Sequence, residues 1–153
     1  MPSRRDQIRM TDEELRDFLD EQKIVSVATV GPKGRPHLVP LWYVRDGDAL
    51  TGWTFAKSQK ARNLERDAHA TLQVEAGVEY QELRGVMFEC DVDVERDAEK
   101  VARFGRALFD RYAPGGGSAV DEMIEKQAPK RIGLRFKPTR TVSWDHRKLG
   151  GAY

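Results

Sequence analysis

The chain has 153 residues, 39% of them hydrophobic and 33% charged, which fits one soluble domain with a real core rather than two. Its 26 lysines and arginines nearly balance 25 acids for a formal charge of +1, so there is no global electrostatic case for nucleic acid and any anion site is local. No run is long enough to span a membrane or resembles a signal peptide, and the one cysteine, Cys90, excludes an internal disulfide framework and fits a reducing cytoplasm.

Met1 to Met10 is polar and expected to fray. Thr11 then opens a helix, with Glu14 three residues on completing a capping box. Leu15, Phe18 and Leu19 give this helix one apolar stripe, and it should stop near Gln22. Ile24 to Val30 reads as a strand with small and β-branched residues on both faces, which suggests burial on both sides. Gly31 to Gly34 is a turn, and Pro36 to Val44 returns as a second strand. Its alternation puts His37, Val39, Leu41 and Tyr43 on one face, and Leu38, Pro40, Trp42 and Val44 on the other. Pro40 offers no backbone N–H, so the ladder is broken there by an edge, a bulge or a ligand. Asp46-Gly47 signals a hairpin into a third strand, Leu50 to Phe55.

A helix from Ser58 to about Arg66 follows, then a fourth strand over Ala70 to Glu75 and a loop over Gly77 to Gln81 that carries Tyr80. Leu83 to Val94 alternates with period two, placing Val86, Phe88, Cys90, Val92 and Val94 on its apolar face. On that face Cys90 reads as a small buried hydrophobe rather than a reactive thiol. Asp97 to Tyr112 is a helix with Val101, Phe104, Leu108 and Phe109 on one side, and Pro114 to Gly117 is a linker without P-loop spacing. Val120 to Gln127 is a short helix. Arg131 to Lys137 and Thr139 to Trp144 close the domain as two strands around Pro138, and the tail from Asp145 to Tyr153 is too polar for a core. Antiparallel hairpins dominate and strand–helix–strand alternation is largely absent, so the fold class is α+β, mainly β: an antiparallel barrel with flanking helices.

Function gathers where the third strand gives way to a helix. Ser58 is an N-cap residue, a helix N-terminus carries unsatisfied N–H groups and partial positive charge, and Lys57, Lys60 and Arg62 add formal charge beside it. That combination suits a phosphate. A solvated basic helix is the alternative for the same letters. His37 has a side chain able to titrate near neutrality, and is a space-filling strand-end residue otherwise. His69 reads as a loop residue, and His146 as part of a surface ion-pair cluster or a contact to a cofactor tail or second subunit. The histidines and Cys90 show no metal-ligand spacing, and no nucleophile elbow is present. Trp42, Trp53 and Trp144 read as core residues or ring-stackers.

Three features together resemble one family: a GxPHxxPxWY hairpin (Gly34, Pro36, His37, Pro40, Trp42, Tyr43), a KSxKxRNL segment (Lys57, Ser58, Lys60, Arg62, Asn63, Leu64), and a late strand reaching Arg140 and Ser143-Trp144-Asp145. The chain resembles the pyridoxamine 5′-phosphate oxidase-like, FMN-binding split β-barrel proteins, most of all their coenzyme F420 branch, from about Asp12 to Lys148. The resemblance implies a homodimer with cofactor clefts at the interface and a small-molecule substrate. It assigns the cofactor phosphate to Lys60, Asn63, Ser58 and Lys57. It lays the deazaflavin ring along His37, Pro40, Leu41, Trp42, Trp53 and Thr54, with Tyr80 bordering the ring from the partner chain. The bulk of Trp53 and the Asp145 to Lys148 tail depart from the family pattern. The implied activity is hydride transfer between reduced F420 and a small conjugated substrate, with no dedicated catalytic residue except His37 as a candidate. FMN-dependent oxidase or reductase chemistry on the same fold, cofactor binding without turnover, and a nucleic-acid module are the alternatives.

Overall fold

A computed structural model describes residues 1–151; Ala152 and Tyr153, the end of the expected polar tail, lie outside the described residues. The elements in chain order are α1 (Arg4–Ile8), α2 (Asp12–Glu21), β1 (Val25–Val30), β2 (Pro36–Leu41), β3 (Val44–Asp46), β4 (Ala49–Phe55), α3 (Gln59–Arg66), β5 (His69–Ala76), β6 (Arg84–Glu95), α4 (Ala98–Tyr112), α5 (Gly117–Gln127) and β7 (Arg131–Asp145). Short 3₁₀ turns occupy Tyr80–Glu82, Ala128–Lys130 and His146–Leu149. All strand pairs are antiparallel, in one seven-stranded sheet of order β2-β1-β5-β6-β7-β4-β3. The sheet curls around a core of Val25, Val27, Leu72, Val74, Val86, Phe88, Leu134 and Phe136, closed by Phe18 and Leu19 of α2 and by Ala61 and Leu64 of α3. This is the antiparallel barrel with flanking helices that the hairpin pattern predicts, split as the family resemblance implies.

Where strands end is decided by what their backbone groups bond to. The second strand was expected to run unbroken to Val44, but it breaks at Trp42 and Tyr43. There the Tyr43 N–H donates to the Tyr112 hydroxyl (3.1 Å) and its carbonyl accepts from Tyr112 (2.9 Å) and Arg111, so both groups are diverted from the ladder to α4. Conversely, the two closing strands expected around Pro138 are one strand. Cys90 pairs with Pro138 while Glu89 pairs with Arg140, so Thr139 bulges out beside the proline and the strand continues through it. Thr139 Oγ1 instead donates to the Glu89 carbonyl, 3.1 Å away.

The N-terminus corrects a further expectation. Ser3 and Asp6 form a capping box on α1, and Met10 is buried with its N–H on Ser143 Oγ (3.0 Å). Lys148 donates to the Arg9 carbonyl (2.9 Å) and Glu14 (2.6 Å), clasping the start of α2 to the chain's end. Nor is the tail wholly outside, since Asp145 is buried and accepts three hydrogen bonds from Arg147, two from its side chain and one from its backbone N–H. On β1 only one face is fully buried, and α5 starts three residues earlier than its apolar stripe indicated. Cys90 lies in the core, where burial pushes its thiol up to about 12, in keeping with an inert packing residue.

Helix α4 docks on the outer face of β4 and β7 through two aromatic rings, each seated on a glycine. Trp53 sits against Gly105, where an added Cβ would lie 2.4 Å from the ring, and Phe104 sits on Gly133, where the same distance would be 2.7 Å. Gly105 costs helix propensity, yet no other residue leaves room for the indole. Gly105→Ala is expected to lift α4 or turn Trp53, destabilising the protein by about 1–3 kcal/mol in urea unfolding.

Candidate functional site

The two ends of the sheet almost meet. Strand β2 is one edge, and beyond Thr51 the residues Gly52–Phe55 of β4 pair with β7 on one side only. The chain itself joins these edges at Trp42 and Tyr43, where a Cβ added at Gly52 would lie 3.1 Å from the Trp42 carbonyl oxygen. Away from that corner no strand pairing connects them, and this seam is the split of the barrel. Pro40 therefore stands on a free edge, one of the three readings its missing N–H allowed.

On the core side of the β4 edge lies a buried cation. The chain turns after Phe55 through a Ser58 N–H to Phe55 carbonyl bond (3.0 Å), and Ser58 caps α3 by accepting from the Ala61 N–H (3.1 Å). One helical turn on, Lys60 is 7% exposed and its Nζ donates to Thr54 Oγ1 (3.0 Å), itself 3.4 Å from Ser58 Oγ. Among the described residues no carboxylate pairs with Lys60, and burial pulls its pKa below the usual lysine range. A buried cation with neutral neighbours is costly unless an anion completes it. Lys57 and Arg62 are exposed beside it.

Asn63 braces the same helix. It is fully buried, its Nδ2 donates to Thr29 Oγ1 (3.0 Å), and its Oδ1 accepts from Gln59 (2.8 Å). Its amide thus ties α3 to β1 and is committed to protein partners. His37 sits opposite Thr29 in the β1–β2 register, half-buried, with a buried Nδ1 that has no hydrogen-bond partner. A buried ring nitrogen left unbonded is the second polar group here that a ligand would satisfy.

On the other face of β4 is a cavity of about 400 Å³, walled by Pro40, Leu41, Trp42, Trp53 and Phe55 with Leu108 and Phe109 of α4, Met123 and Gln127 of α5, and Arg131. That volume is in the range of small-molecule sites. Trp42 stacks on Tyr112 (centroids 4.4 Å apart, 13° between planes), while Phe109 meets Trp42 and Trp53 edge-on, both at 6.3 Å. Of the predicted ring-side residues, Pro40, Leu41, Trp42 and Trp53 come together in this cavity, whereas Thr54 faces the core with Lys60. Tyr80 does not line it. That residue is 60% exposed and packs edge-on against His146 at 4.8 Å, its carbonyl 2.9 Å from His146 Nδ1.

The sequence reading missed Phe55, Met123, Gln127 and Arg131. The apolar stripe of α4 contained Phe109 without showing that it faced a cavity. A larger hollow, about 590 Å³, lies against β1, β5 and β6 and includes Glu89 and Thr139. Its histidine, His69, is held by Asp67 (2.6 Å) and Asp91 (3.3 Å), and the Asp67 hydrogen bond raises its pKa. The hollow therefore holds no uncompensated charge of the kind that Lys60 is.

A curled antiparallel sheet split along one seam, with a capped basic helix beside it, defines a split-barrel protein. Residues 11–145 match the pyridoxamine 5′-phosphate oxidase family, and the chain belongs to it. The structure is similar to that of a conserved hypothetical protein from Mycobacterium tuberculosis, at 37% identity and a TM-score of 0.90 over 99% of this chain and 95% of that one. It shares its fold with an F420 reductase (23% identity, TM-score 0.64, covering 82% and 94%). The same holds for an FAD and heme binding protein from Mycobacterium smegmatis (21%, TM-score 0.71, 94% and 78%). No curated protein matches the sequence.

The lowered pKa of Lys60 fixes the sign of a pH effect. Between that value and the ordinary 10.5 the unfolded chain binds the additional proton, so stability rises with pH through this window. Lys60→Met is expected to be more stable than the parent protein near pH 7, with the gap closing toward about pH 10. Paired urea titrations at the two pH values measure it.

Proposed function

We propose that the protein binds coenzyme F420 at the seam and transfers a hydride between it and a small conjugated substrate. The observation that carries this reading is Lys60: a buried cation with no carboxylate, hydrogen-bonded to Thr54 beside a helix cap, on the face of β4 opposite an aromatic-walled cavity. These features fit a phosphorylated, flat-ringed redox cofactor. Lys60, Ser58 and the exposed Lys57 hold the phosphate, and Asn63 keeps α3 in place for them. Pro40, Leu41, Trp42 and Trp53 wall the ring's side of the cleft and exclude water.

When bound, the deazaflavin supplies the hydride chemistry. The chain contributes orientation, shielding and, at His37, a ring nitrogen without a protein partner that is able to hydrogen-bond the ligand or hold a proton. Relatives in fold include, by name, an F420 reductase and an FAD and heme binding protein, so a flavin-type ligand is common ground and FMN is the second reading. The proposal includes a homodimer, which would cover the exposed Leu38 and Trp42 and bring Tyr80 to the second copy's cleft. Sedimentation of the purified protein as a monomer at micromolar concentration would remove that part.

Titration with F420 and separately with FMN, followed by fluorescence of Trp42 and Trp53, tests the central claim. F420 is expected to quench at lower concentration than FMN. Lys60→Ala is expected to weaken the preferred cofactor about ten-fold to a hundred-fold, as loss of a charge-assisted phosphate contact should. Turnover of reduced F420 with enones or quinones separates an enzyme from a carrier. Affinity unaltered in Lys60→Ala places the phosphate elsewhere.

A further inference from the structure

The aromatic cavity contains a cation that the phosphate reading leaves unused. Arg131, the first residue of β7, is half-buried, and its guanidinium carbon lies 4.0 Å from the Phe55 ring centroid and 4.7 Å from that of Trp53. Nε donates to Gln127 Oε1 at 3.3 Å. Nη1 and Nη2 have no protein partner among the described residues, and no acid pairs with the group, unlike Arg45 with Asp20, Arg84 with Glu21 or Arg135 with Asp46. Burial lowers its pKa, yet a guanidinium stays charged throughout the physiological range.

We propose that Arg131 is the substrate-recognition residue of the cavity, and that the substrate is a flat conjugated molecule bearing one carboxylate. The aromatic floor under the guanidinium fixes its plane, and Gln127 fixes its rotation by holding Nε. The two remaining nitrogens then form a planar fork, the shape that matches a carboxylate in bidentate fashion. A single cation in the cavity calls for a single negative charge, while Trp42, Trp53 and Phe109 offer apolar surface to the rest of the molecule. Lys60 is bonded to Thr54, which points to the other face of β4, so the two anion sites are separate. The inference rests on the proposed reading of the cavity as the ligand cleft, and it is independent of which cofactor binds.

The test uses 2-naphthoate and its neutral counterpart 2-naphthamide as probes, with no cofactor added. Binding is followed by ¹⁵N NMR of the tryptophan indole N–H signals, those of Trp42 and Trp53 lying in the cavity and that of Trp144 outside it. Naphthoate is expected to bind at least about ten-fold tighter than naphthamide, shifting Trp42 and Trp53. Arg131→Met should erase that preference while naphthamide affinity is kept, and Arg131→Lys should restore part of it. Equal affinities in the parent protein need no variant to overturn the proposal. A preference that survives Arg131→Met, or one that disappears in Lys60→Ala instead, also overturns it. Failure of F420 and FMN to bind would count against the cofactor reading and leave these outcomes unaltered.

Discussion

The arrangement depends on a knot of hydrogen bonds at the C-terminal end of α4. Arg111 reaches the carbonyls of Leu19, Asp20, Gln22 and Tyr43, while its guanidinium lies over the rings of Tyr43 and Tyr112. Tyr43, fully buried, donates its hydroxyl to Leu19 (2.6 Å), and the Tyr112 hydroxyl bonds the Lys23 and Tyr43 carbonyls. One guanidinium and two phenols thus collect the orphan carbonyls where α2 ends and where β2 breaks. Without them the buried carbonyl of Leu19 and the part-buried carbonyls of Gln22 and Tyr43 would be left without partners. The same knot sets the corner at which the sheet's two edges meet, and Trp42 rests on Tyr112. The shape of the cavity is therefore inherited from backbone satisfaction several residues away.

Local signals in the sequence are those that survive into the structure. Thr11 and Glu14 form the capping box, Gln22 ends α2, Ser58 caps α3, and the period-two run ending at Val94 is β6. The class of fold followed from hairpins between such elements. What was not legible depended on distant partners. Nothing near Tyr43 says that its backbone bonds to Tyr112, and nothing near Pro138 announces the bulge at Thr139 that lets β7 continue. Met1 to Met10 looked frayed because its anchors, Ser143 and Lys148, lie at the far end of the chain. For the site, the basic segment was readable because cap and cations are adjacent in sequence. The two-sidedness of β4, with Thr54 toward Lys60 and Trp53 toward α4, was implicit in its alternation. Arg131 escaped notice because only the fold shows that it lacks an acid.

Lys60 and Arg131 express one physical idea on opposite faces of the same strand. Several surface cations of this chain pair with acids and link elements, as Arg45–Asp20 and Arg96–Glu65 do. These two are withdrawn from water with neutral company only. Such groups reduce the stability of the protein when unpaired and would be stabilised by an anion, which is the property both proposals draw on.

An unzipped barrel has a hazard as well as a use. Backbone groups along β2 that accept no neighbour from this sheet are open to any extended peptide, and Leu38, 66% exposed, would make such an encounter adhesive. Proline at positions 36 and 40 removes two N–H donors from that ledge, so an incoming strand finds an interrupted ladder and gains little by zipping on. The gap can thus remain accessible to a small molecule while discouraging the chain-to-chain stacking that begins aggregation.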